Sequence, residues 1–245
     1  MPRRHPRMSV SRSTTALYSD AQMVDVPDTS RKLSRGCGNP TAFADLTPGE
    51  AVADLGCGGG IDVILAARQV GPTGSVTGVD MTPEMINRAR NAATEAGLGE
   101  QVTVLVADMA ATGLADASVD VVISNCVINL SPDKDAVYAE IFRILRPGGR
   151  VAISDITLSE PIDPELSARL QDSWAGCMGG AIPETDYVRI VSEAGFTDPV
   201  ITTRHTLGEK CCPGEKYATS PPTADLAAVA GTVDSIKFTA TKPTN

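Results

Sequence analysis

Aromatic residues make up only 4% of the chain, tryptophan occurs once, and the only histidines are His5 and His205. With so few imidazoles and no Cys-x2-Cys pair, a structural zinc site lacks its usual ligands. Six cysteines in 245 residues are also too sparse for a fold built on disulfides. No apolar run approaches the roughly 18 residues that a spanning helix needs, so no membrane crossing is expected. The basic, serine-rich start has no apolar core and does not read as a secretory signal. Pro2 and Pro6 interrupt any amphipathic helix there, and a solvated tail over 1–17 is expected.

Positive charge is scarce outside that start. Residues 1–35 carry seven basic and three acidic side chains, whereas the rest carries 14 basic and 27 acidic, which gives the net −9. An acidic body repels phosphate backbones, so nucleic acid is not an expected partner. At 245 residues the chain is long enough to bury a sizeable core.

From residue 51 short β-branched runs alternate with helical stretches. Strands are expected near 51–56, 75–80, 101–108, 119–125 and 150–156, with helices after the first, second and fourth. Thr82 and Pro83 suit the N-cap and first turn of the second helix. Residues 146–150 read as a helix stop before the fifth strand. This rhythm predicts an α/β Rossmann-like fold, a mostly parallel sheet with helices on both faces. Two further helices and two strands follow residue 160. We therefore expect a cofactor-binding domain over 18–160 and a C-terminal cover and substrate-binding region over 161–245.

The turn after the first strand carries the chemistry. Asp54 precedes Gly56, Gly58 and Gly60, and these glycines allow a tight turn and close approach of a ligand. Asp80 ends the second strand, placed to accept from ribose hydroxyls. A Gly-x-Gly-x-Gly run after an aspartate suits a cationic, phosphate-free nucleoside better than a pyrophosphate. S-adenosylmethionine fits that description. Asp108 and Met109 would flank its adenine, Met81 would pack on the other face, and Asn125 would meet its methionine end. Cys57 and Cys126 read as small packing residues.

Segments 36–40 (Gly-Cys-Gly-Asn-Pro), 54–60, 78–86, 124–134, 147–155 and 176–181 (Gly-Cys-Met-Gly-Gly-Ala) together resemble arsenite S-adenosylmethionine methyltransferases. The resemblance covers roughly residues 18–200. It implies methylation of trivalent arsenic for detoxification, with Cys37 and Cys177 as the arsenic-binding pair. Thiolates are the natural ligands of so thiophilic an element. The family pattern also has a third arsenic cysteine in the late C-terminal strand and one upstream of the Cys37 segment, and neither is present here. Two thiols suffice for a monomethylated arsenical, while inorganic arsenite prefers three. Cys211 and Cys212 are candidates for the third ligand, the alternative being an exposed, oxidisable pair with no catalytic role. A thiol reductant of the glutathione or thioredoxin type and a cytoplasmic location go with working thiols. Two other readings stay open: methylation of a small organic acceptor of quinone or polyketide type, and non-catalytic arsenical binding.

Overall fold

In a computed structural model, residues 17–24, 26–31, 36–171, 176–206, 223–229 and 231–244 are described. The tail before residue 17, Cys211 and Cys212 lie outside these residues. Seven strands form one sheet: β1 (Ala51–Leu55), β2 (Ser75–Asp80), β3 (Val102–Val106), β4 (Val119–Asn125), β5 (Leu145–Leu158), β6 (Thr197–Thr206) and β7 (Val233–Thr241). The helices are α1 (Asp20–Met23), α2 (Asp28–Arg31), α3 (Ile61–Val70), α4 (Pro83–Glu95), α5 (Lys134–Ile144), α6 (Pro164–Gln171), α7 (Gly176–Gly179), α8 (Glu184–Glu193) and α9 (Thr223–Val229).

Strand order is β3-β2-β1-β4-β5-β7-β6, with β1 to β5 parallel and β7 antiparallel to both its neighbours. This is the expected Rossmann-like, mostly parallel sheet. The order reverses between β1 and β4, and in open sheets ligands bind at the carboxyl ends beside such a reversal. The stretch 161–245, expected as a cover, supplies β6 and β7 as well as α6 and α7. Residues 146–150, expected as a helix stop, lie within β5 across an irregularity in its pairing with β4.

Packing explains the near-continuous apolar strands. Central β1 and β4 are buried along almost their whole length because both faces are covered. On one face Leu55, Ile153 and Phe238 meet α5 and α8 in a core completed by Tyr138, Tyr187 and Phe196. On the other, α3 presents Val63, Ala66 and Val70 to Val52, Val76 and Ile123. Phe238 is fully buried, its ring 5.4 Å from that of Tyr187 in an edge-to-face arrangement. Phe238→Ala is expected to cost about 3–5 kcal/mol of stability by leaving a cavity between sheet and α8. A thermal unfolding midpoint lowered by roughly 10 °C would register it; an unshifted midpoint would show that the site collapses without loss.

Among the described residues no helix is long and apolar enough to cross a membrane.

Candidate functional site

Two clusters meet at the carboxyl ends of β1 and β4. The first is the glycine turn. Gly56, Gly58 and Gly60 all adopt left-handed backbone, with φ of 73°, 48° and 84°, which explains the glycine spacing. A side chain at Gly56 would collide with Val127, whereas one at Gly58 would meet open space. Asp80 steadies this turn: its Oδ2 accepts from the Gly58 N–H at 3.0 Å and its Oδ1 from the Thr82 N–H at 2.9 Å. Thr82 does occupy the N-cap position of α4, but its side chain makes no capping bond.

Asp54 is 2% exposed, and its Oδ2 is buried without a hydrogen-bond partner. Beside it stands Asp62 in the first turn of α3, 7% exposed. The Tyr18 hydroxyl donates to Asp62, 3.1 Å from either carboxylate oxygen. Burial pushes the Asp62 carboxyl up to about 6, against the hydrogen bonds from Asn125 and Tyr18 that favour its charge. Burial also raises Asp54, and the charges of Asp62 and Asp80 add to the shift. Tyr18 is likewise raised, by burial and then by Asp62. An unpartnered, buried carboxylate oxygen beside a second carboxylate and an open glycine turn is a receptor for a cation. The groups present therefore fit the ammonium end of S-adenosylmethionine.

Ser30 of α2 closes the turn from above, donating to the Gly59 carbonyl at 2.6 Å. Of the other expected cofactor contacts, Met81 is 72% exposed beside the turn. Met109 packs partly buried against the core under α5. Asp108 accepts from the Ala110 N–H at 2.8 Å and shapes the loop after β3. Cys57 is buried, its sulfur filling the space beside Gly78, as expected for packing.

The second cluster is sulfur. Cys37, Cys126 and Cys177 place their Sγ atoms all within 4.8 Å of one another. Cys37 and Cys126 are joined in a disulfide. The expected pair is thus together, and the reading of Cys126 as mere packing is corrected. Its backbone is left-handed, φ 65°, a conformation that a non-glycine residue adopts only where its surroundings impose it. The Cys126 N–H donates to the Ser154 carbonyl at 2.7 Å, which fixes the turn as β4 ends. Beyond it, Asn129 donates to Asp155 at 2.9 Å and to the Ile156 carbonyl at 2.6 Å, pinning the turn Ile128–Leu130 to β5. α7 carries Cys177 onto that same turn.

Glycines let the Cys37 segment come this close. A side chain at Gly36 would overlap the Asn125 amide, and one at Gly38 the Ser154 hydroxyl. The segment is tied from two sides. Asn125 Oδ1 accepts from the Cys37 N–H at 3.0 Å, and the Ser235 hydroxyl of β7 donates to the Cys37 carbonyl at 3.2 Å. Gly38→Ala is expected to displace this segment, seen as loss of the Cys37–Cys126 disulfide in a thiol titration under oxidising conditions. A thiol count equal to that of the parent would show that the loop yields at no cost.

Sequence reasoning missed Tyr18, Asp62 and Cys126. Asp62 did leave a trace, since it is the only acidic residue in the helix Ile61–Val70 and stands among apolar residues in its first two turns.

Comparison with known proteins places this geometry. Residues 46–195 match the family described as a methyltransferase domain. The chain is similar to the arsenite methyltransferase of Halobacterium salinarum, 49% identical over 164 residues, spanning 67% of this chain and 41% of that protein. It is also similar to the arsenite methyltransferase of Homo sapiens, 31% identical over 164 residues, spanning 64% of this chain and 44% of that protein. The chain thus spans less than half the length of these curated relatives. The crystal structure of an arsenic(III) S-adenosylmethionine methyltransferase from Chlamydomonas reinhardtii superposes with a TM-score of 0.78 at 33% identity, covering 91% of this chain and 73% of that one. Sheet order, glycine turn and sulfur cluster thus sit in a chain that belongs to the arsenic(III) S-adenosylmethionine methyltransferase family.

Proposed function

We propose that the protein methylates trivalent arsenic held by Cys37, Cys126 and Cys177, with S-adenosylmethionine as methyl donor. One observation carries the reading: three sulfurs within 4.8 Å of one another, beside a turn built for a cationic nucleoside. Asp54 and Asp62 face the ammonium end, Gly58 leaves room for the ligand, and Asp80 meets the ribose. S-adenosylmethionine supplies, when bound, a methyl group on a cationic sulfur that passes to the arsenic lone pair and leaves a neutral thioether.

The chain's own part is to present the arsenic. A dithiol or two glutathione molecules first reduce the Cys37–Cys126 disulfide, delivering two electrons and two protons and becoming a disulfide themselves. The three thiols then displace the three hydroxyls of arsenous acid as water, and arsenic keeps its lone pair. No general base is needed, because the nucleophile carries no proton. Rate enhancement comes from holding two reactants together in a closed site.

Cys126 supplies a third thiolate without recourse to Cys211 or Cys212, so inorganic arsenite is a fitting substrate as well as monomethylarsenite. Working thiols belong in a reducing compartment, and we assign the protein to the cytoplasm, with arsenic detoxification as its role. Purified, reduced protein with S-adenosylmethionine is expected to yield methylated arsenicals from both substrates, read by mass spectrometry. No product from either would overturn the proposal. A Cys211→Ser/Cys212→Ser double variant then separates the two sources of a third thiolate. Retained arsenite turnover assigns it to Cys126, and loss assigns it to the pair.

A further inference from the structure

One amide touches both halves of the site. Asn125 Oδ1 accepts from the N–H groups of Cys37 at 3.0 Å and Gly38 at 3.2 Å. Its Nδ2 lies 2.8 Å from the Gly38 carbonyl, 3.0 Å from the Tyr18 hydroxyl and 3.1 Å from Asp62 Oδ2. A side-chain amide has two N–H groups, and here it faces three acceptors. The single Tyr18 hydrogen goes to Asp62, so the hydroxyl can only accept from Asn125. The hydrogens of Asn125 are therefore divided between the thiol loop and the acidic pocket. Once the Cys37–Cys126 disulfide is reduced, Asn125 and Ser235 are, among the described residues, what tie the Cys37 backbone to the sheet. Only the Asn125 tie reaches the acidic pocket.

We propose that Asn125 couples occupancy of the acidic pocket to the placement of Cys37. A cation drawn to Asp54 and Asp62 competes with Asn125 for Asp62 Oδ2, the longest of its three contacts at 3.1 Å, and relieves the three-way competition. Both Asn125 hydrogens then serve the Gly38 carbonyl and the Tyr18 hydroxyl, and the loop carrying Cys37 tightens. The inference rests on the methyltransferase reading, in which that cation is the ammonium of the cofactor's amino-acid end. Linkage makes the effect reciprocal: whatever orders the Cys37 loop also raises affinity for the cofactor.

Hydrogen exchange on the reduced full chain tests this without arsenic. S-adenosylhomocysteine carries the amino-acid end, and 5′-methylthioadenosine is the same thioether nucleoside without it. With S-adenosylhomocysteine, exchange at the Cys37 and Gly38 amides is expected to slow by about 5-fold or more. Saturating 5′-methylthioadenosine should leave it unchanged. Asn125→Ala removes the link and should erase the difference between the two ligands. Tyr18→Phe, which keeps the ring, removes one acceptor and should bring the difference toward one even where Asn125→Ala fails to fold. Equal exchange with both ligands in the parent, or an undiminished difference in Tyr18→Phe, would overturn the coupling alone. Failure of S-adenosylhomocysteine to bind would overturn the methyltransferase reading, and this inference with it.

Discussion

Freshly reduced Cys126→Ser is expected to lose arsenite methylation by on the order of 100-fold, as deeply as Cys37→Ser or Cys177→Ser. The three sulfurs lie within 4.8 Å of one another, so a single trivalent arsenic reaches all three once the disulfide opens. Serine offers a hard, protonated oxygen in place of a soft thiolate, and a soft centre gains little from it. Monomethylarsenite needs only two thiolates, and Cys37 with Cys177 still supplies them. The variant should therefore keep a substantial part of its monomethylarsenite turnover. It also cannot form the Cys37–Cys126 bridge, so that residual activity should no longer depend on preincubation with reductant. Mass spectrometry of products, with each arsenical supplied separately, reads all of this. Parent-like arsenite turnover in Cys126→Ser would remove that residue from the arsenic site.

Cofactor affinity is expected to rise with pH through the Asp62 transition. The Asp62 carboxyl is pushed up from 3.8 to about 6, with burial the largest cause and its hydrogen bonds opposing. Between those values the unfolded chain has released a proton that folded Asp62 still holds. The unfolded state then binds fewer protons, so stability falls as pH rises across that window. Above about 6 the buried carboxylate is charged, faced by Asp54, by the Tyr18 hydroxyl and by the Asn125 amide. Only the hydroxyl and amide offset that charge, which makes the pocket receptive to a cation. Binding of S-adenosylhomocysteine should strengthen on the order of 10-fold from pH 5 to pH 7 and level off above, because one proton leaves as the ammonium enters. Isothermal titration in buffers of different ionisation enthalpy counts that proton. Asp62→Asn should bind more weakly with no such slope, whereas an unchanged slope in Asp62→Asn would place the titrating group elsewhere.

The parts of the site legible in the sequence are those written in local pattern. Asp54, the three glycines and Asp80 are readable because a turn between strand and helix needs left-handed backbone, and glycine supplies it. The central parallel strands β1 and β4 are readable because strands covered on both faces must be apolar along nearly their whole length. Cys126 was not, because its part depends on a left-handed backbone that no residue type announces and on a segment 89 residues away. Tyr18 and Asn125 are 107 residues apart, and nothing local marks either as a partner of Asp62. The fold brings these groups together through long-range register, which spacing within one segment cannot encode. The C-terminal strands show the same limit, since alternation predicts them but not that β7 enters between β5 and β6.

That insertion also orders the way the chain is built. β5 pairs on one side with β4, which precedes it, and on the other with residues 233–241, some 75 positions further on. Until those residues emerge, the outer edge of β5 and the whole of β6 have no sheet partner. β1 to β5 pair among themselves within residues 51–158 and can assemble first, whereas the last pairing has to close a long loop. During synthesis the open edge is a template for strands of other chains, the usual route to aggregation of slowly completed sheets. Ser235, which holds Cys37 by its carbonyl, lies on the same late strand. The thiol site thus acquires its last support only when β7 completes the sheet.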